Sequence, residues 1–132
     1  MAKVLGIGGF FFRCKDPAAT RDWYARVLGF EINDFGGVNF SQADAAGAFG
    51  PGAMTIWSPF DDDSDYFAPS SENHMVNFMV DDLTAMLAKC AAEGVAEVKP
   101  REDHPYGSFG WILDPDGRKL ELWQPGAPPD AS

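Results

Sequence analysis

The chain has 132 residues, 45% of them hydrophobic, and a formal net charge of −10. That length can bury one core without covalent staples, and an acidic balance with no basic patch argues against nucleic acid or an anionic membrane surface as partner. No apolar run approaches the roughly 20 residues that cross a bilayer, and the start MAKVLGIGG lacks a charged region leading into a long apolar one, so a cytoplasmic address is expected.

In chain order, FFFRCKD at 10 to 16 alternates and predicts a strand. Asp16 can cap the helix that follows, Pro17 suits its first position, Trp23, Tyr24, Val27 and Leu28 supply an apolar stripe, and Gly29 stops it. FEIN and GVNFSQA are candidate strands around a Gly36-Gly37 turn, and MTIWSP at 54 to 59 closes this half. An acidic linker near 61 to 72 follows. It sets Asp61, Asp63, Asp65 and Glu72 at calcium-loop spacing, but Tyr66 stands where such a loop needs glycine and Pro69 interrupts, so it reads as a solvated linker whose Tyr66-Phe67 pair folds over a cleft or an interface.

The second half then repeats the first. VNFMVDD at 76 to 82 matches FFFRCKD at an offset of 66, Asp82 caps a helix with Leu83, Met86, Leu87 and Cys90 on one face, and Gly94 stops it. VAEVKP and GSFGWIL are the next strands, DPDG turns the chain, and LELWQP at 120 to 125 matches MTIWSP at the same offset. Trp123 therefore answers Trp57, and Glu121 answers Thr55. Cys14 and Cys90 lie in apolar-patterned segments and read as reduced core thiols. Neither GxGxxG, GxxxxGK[ST] nor GxSxG occurs.

Taken together, the doubled βαβββ pattern, WYARVLGFEI after a DP-capped helix, NFMVDDL opening the second half and YGSFGWILDPDGRKLELWQP closing it make a sequence that resembles the vicinal oxygen chelate superfamily. That group includes glyoxalase I, bleomycin-resistance proteins and extradiol dioxygenases. The resemblance implies an α+β fold of two βαβββ modules curling into an open, cleft-containing mixed barrel. It forms one domain over 1–125, with module 1 at about 4–60, the linker at 61–72, module 2 at about 73–125, and a disordered tail at 126–132. In metal-dependent members four ligands come from symmetric strand positions, which fall here on Gly9, Thr55, Met75 and Glu121. Only Glu121 offers a hard donor, and one carboxylate does not hold a divalent ion.

With strand parity as guide, the implied cleft is lined by Phe11 and Arg13, Thr55 and Trp57, Met75, Asn77 and Met79, and Glu121 and Trp123, with Tyr106 reaching in from a loop. That lining suits a small organic molecule, bound without a cofactor and probed by stacking. An Arg13–Glu121 pair with the cleft filled by rings is the plain alternative. The enzymatic alternative is a lyase, isomerase or dioxygenase using Glu121 as base, with Tyr66 or Tyr106 as phenolic partner, or as one ligand of a divergent metal site with His74 or His104. A homodimer is expected.

Overall fold

The computed structural model describes residues 2–126. All of the expected tail except Gly126 lies outside the described residues. The observed elements are α1 (Pro17–Leu28), α2 (Gln42–Phe49), β1 (Val76–Met79), α3 (Leu83–Ala92), β2 (Glu102–His104), β3 (Gly107–Leu113) and β4 (Lys119–Pro125), with a short 3-10 turn at Gly50–Gly52. The fold is α+β, with α1 and α3 packed on a four-stranded mixed sheet of order β1-β4-β3-β2.

Local chemistry sets the two long helices. The Asp16 carboxylate accepts from the Ala19 N–H at 3.1 Å, Pro17 needs no partner for a missing N–H, and Gly29 ends α1 at φ 75°. Asp82 repeats the cap on α3, accepting from the Ala85 N–H at 3.0 Å, and Gly94 follows at φ 79°. The turn between β3 and β4 is built around Asp114. Its Oδ1 accepts from the N–H groups of Asp116 and Arg118, while its Oδ2 accepts from the Tyr24 hydroxyl at 2.8 Å and the Arg118 guanidinium at 3.1 Å.

Alternation along β4 decides which side of the sheet faces the helices. Leu120 and Leu122, with Ile112 of β3, are buried against Tyr24, Val27 and Leu28 of α1 and Leu83, Leu87 and Cys90 of α3. Each such side chain contributes about 1.5–3 kcal/mol through burial. Lys119, Glu121 and Trp123 therefore stand on the opposite face.

Four expected strands differ. The segments 10–16, 30–33, 37–43 and 54–59 form no ladder among the described residues, and residues 42–49 are helical. Ser41 caps that helix by accepting from the Asp44 N–H, and the alanines that follow favour it over a strand. The Asn33–Gly37 turn does form, with the Asn33 N–H donating to the Gly37 carbonyl at 2.8 Å. In the second half, residues 95–100 join the sheet through a single bond from the Val98 N–H to the Trp111 carbonyl, and β2 begins further on, at Glu102. A strand exists only where a neighbour takes its N–H and C=O groups, and the first-half segments have no such neighbour among the described residues. No helix among the described residues is long and apolar enough to cross a membrane.

Candidate functional site

Pairing register builds the site. Glu121 of β4 is the partner of Asn77 in the parallel β1 and of Trp111 in the antiparallel β3, so the three side chains form one row across the sheet. Asn77 Nδ2 donates to Glu121 Oε1 at 2.7 Å, and Trp111 Nε1 donates to Oε2 at 2.8 Å. Tyr66 closes the row from above, its hydroxyl donating to the same Oε2 at 2.5 Å. Glu121 is buried, and its carboxylate is held by three neutral donors with no ion pair among the described residues.

The linker residue Tyr66 is itself clasped. The Lys119 ammonium donates to its backbone carbonyl at 2.6 Å and lies 5.1 Å from the centre of its ring, while Lys99 sits 4.1 Å from the Trp111 ring centre. Burial, then the neighbouring Lys99, pushes the Lys119 amine below its ordinary range. Burial, then the bond to Glu121, raises the Tyr66 phenol, and burial with Asp114 raises Tyr24 likewise.

Those two phenols give the fold an alkaline limit. A phenol raised in the folded state contributes stability that is fully present below its ordinary value of 10.0 and lost as pH rises through the folded value. Urea midpoints are expected to fall once pH exceeds about 10, and the Tyr24→Phe, Tyr66→Phe double variant should show a shallower fall. An equally steep fall in that variant would place the effect elsewhere.

Two residues further along the strands, on the same face, a second row consists of Met79, Trp123 and Phe109. The Phe109 and Trp123 rings lie 6.2 Å apart and nearly parallel, and Phe109 stacks in the same way on Trp111 at 6.3 Å. Beyond them Tyr106 stacks flat on His104 at 4.9 Å, and its carbonyl accepts weakly from Trp123 Nε1 at 3.4 Å.

The sheet face thus brings together Asn77, Met79, Glu121 and Trp123, with Tyr106 at its margin and Met75 half-buried just before β1. It does not bring in the other expected residues. Phe11 is 91% exposed and Trp57 79% exposed, and Thr55 is exposed as well. Phe11 and Arg13 line a different concavity, beside His74 and Arg118, and Arg13 makes no pair with Glu121.

Sequence reading missed Trp111, Phe109, Lys99 and Lys119. The signal was available for the first: counting back from the DPDG turn sets Trp111 opposite Glu121.

A divalent ion does not fit this donor set. Glu121 already accepts three hydrogen bonds, and the family-equivalent positions are glycine, threonine and methionine. His104 turns to Glu102 at 3.1 Å, and His74 neighbours Phe10. Among the described residues no three His, Cys, Asp or Glu side chains form a group able to hold a metal.

Residues 6–122 match the model of the glyoxalase/bleomycin resistance protein/dioxygenase superfamily, and the chain belongs to that superfamily. Among solved structures, a protein of unknown function from Agrobacterium tumefaciens superposes with a TM-score of 0.51 at 19% identity, covering 92% of this chain and 98% of that one. An integron cassette protein from the mobile metagenome of V. cholerae superposes at 0.50 with 15% identity, covering 87% and 98%. At these identities the likeness concerns the fold alone. No curated protein matches the sequence.

Proposed function

We propose that this protein binds a small organic molecule on the sheet face around Glu121, without the metal used elsewhere in the superfamily. The observation that carries this reading is the anchoring of Glu121 by Asn77, Trp111 and Tyr66. The carboxylate is oriented and engaged, unavailable as one of several ligands to an ion, yet its charge is not neutralised by a paired cation among the described residues. Beside it lie the Met79 thioether and the flat rings of Phe109, Trp123 and Tyr106, which suit an aromatic or cationic organic compound.

The cleft is completed by a second copy of the chain. Segments 10–16 and 54–59 match β1 and β4 at the repeat offset but remain without ladders, and Val4, Leu5, Phe11, Ile56 and Trp57 expose their apolar side chains. Exposed apolar surface of that extent, combined with unpaired extended backbone, is the signature of a face that another chain covers. In the dimer, the first half supplies the second βαβββ module, with Thr55 and Trp57 reaching the cleft.

Light scattering is expected to give twice the chain mass, and a panel of aromatic amines should raise the melting temperature and quench tryptophan fluorescence. Trp57→Ala should weaken the quenching. A monomer whose melting temperature ignores the whole panel, or a purified protein carrying a stoichiometric divalent ion, overturns this reading.

A further inference from the structure

The segment that carries Tyr66 is held to the sheet at one residue. Residues 61–72 close their backbone hydrogen bonds on themselves, from the Ser64 N–H to the Asp61 carbonyl, from Ala68 to Asp65 and from Ser70 to Phe67. Among the described residues, the hydrogen bonds and cation–ring contacts joining the segment to the rest of the chain all pass through Tyr66. Its hydroxyl meets Glu121, its carbonyl meets Lys119, and its ring lies 5.5 Å from the Lys99 ammonium and 5.1 Å from that of Lys119. Asp61, Asp62, Asp63 and Asp65 are exposed and form no ion pair among the described residues. Further along, a concavity of about 420 Å³ lies between Pro69 and Val95, Val98 and Leu113, so close packing does not hold that end down. The Phe60, Tyr66 and Phe67 rings pack on one another at 5.1 to 6.4 Å, which lets the segment keep its own shape when it lifts.

Glu121 has a matching asymmetry. Asn77 and Trp111 belong to β1 and β3 and stay with the carboxylate whatever the segment does. Tyr66 is the donor that can leave, and its departure frees an acceptor position on Oε2 while Asn77 and Trp111 still orient the group. We propose that residues 61–72 are a lid latched by Tyr66, and that an aromatic amine enters by taking the place of the phenol on Glu121 Oε2. The entry step rests on the Glu121 face being the binding site; the latch does not. An ammonium N–H makes a stronger bond to a carboxylate than a neutral phenol does, and the ring attached to it can lie on the Phe109 and Trp123 stack. Because a closed lid excludes the guest, the apparent affinity is the intrinsic affinity multiplied by the fraction of open lid.

Hydrogen exchange read by mass spectrometry, with benzylamine as the guest, tests both parts. Tyr66→Phe keeps the ring and removes the bond to Glu121, and Lys119→Met releases the Tyr66 carbonyl. Each should speed exchange of the Ala68 and Ser70 amides by about tenfold and leave α3 unchanged. Saturating benzylamine should do the same to the wild-type chain, the reverse of the protection that a guest gives to a fixed wall. Tyr66→Phe should also bind benzylamine about tenfold more tightly. Unchanged exchange of those amides in both variants overturns the lid. Unchanged or weaker binding by Tyr66→Phe, or protection of those amides by benzylamine, overturns the entry step, because the phenol is then part of the site rather than its latch. If benzylamine binds neither protein, the Glu121 face loses its proposed function, while exchange in the two variants still decides the latch.

Discussion

Glu121→Ala is expected to lower the free energy of unfolding by about 3–4 kcal/mol, and Glu121→Gln by only about 1 kcal/mol. The difference follows from the geometry of the row. Alanine leaves the indole N–H of Trp111 buried without an acceptor, and removes the bonds from Asn77 and Tyr66 together. Glutamine keeps one carbonyl oxygen for Trp111 and Tyr66, and its amide nitrogen can face Asn77 once the Asn77 carboxamide turns over to present oxygen. A urea denaturation series on both variants measures the gap. Equal losses would mean that the carboxylate charge, rather than its acceptor geometry, holds the row together. An Asn77→Asp, Glu121→Gln combination should recover most of the stability, because the donor and acceptor roles are then exchanged.

Gly107→Ala should cost more than any other glycine-to-alanine change in the sheet, roughly 2–5 kcal/mol. Gly107 opens β3 at φ 142°, and a Cβ there would strike the Trp123 indole and stand 2.7 Å from the Gln124 carbonyl oxygen. Neither can give way easily, since Trp123 is stacked on Phe109 and Gln124 belongs to the β4 ladder. Gly94 is the control. It also has a positive φ, 79°, but a Cβ would meet nothing within 4 Å, so Gly94→Ala should cost only about 1–2 kcal/mol. Comparable losses at both positions would show that backbone conformation alone, and not the indole, sets the penalty. Tryptophan emission adds a second readout, because only Gly107→Ala should move Trp123 off its stack.

Much of the second half was legible because its signals agree. Capping aspartate, helical stripe and stopping glycine bracket α3, and alternation along LELWQP sorts Leu120 and Leu122 from Glu121 and Trp123. Both rest on short-range chemistry that a neighbouring chain does not alter. The Tyr66-Phe67 pair in the acidic linker was legible as aromatic surface folding over either a cleft or an interface, and its phenol lies against Glu121. The first half was harder to read. FEIN and MTIWSP have strand composition, but composition cannot say where a ladder partner will come from. GVNFSQA lost its end to a helix because Ser41 caps the alanine-rich run after it. Lys119 was invisible for a different reason: a lysine next to a core strand is usually solvated, and only the position of the linker makes it buried.

The double clasp on Tyr66, phenol to Glu121 and carbonyl to Lys119, also fixes where the surrounding charge hangs. Asp61, Asp62, Asp63 and Asp65 belong to the segment that it ties across the sheet. On the proposed reading, the four aspartates carried by this segment favour a cationic guest over an anionic one, an effect expected to fade as added salt shortens the Debye length. If the proposed binding of an organic cation holds, its affinity is then set by ionic strength as well as by fit.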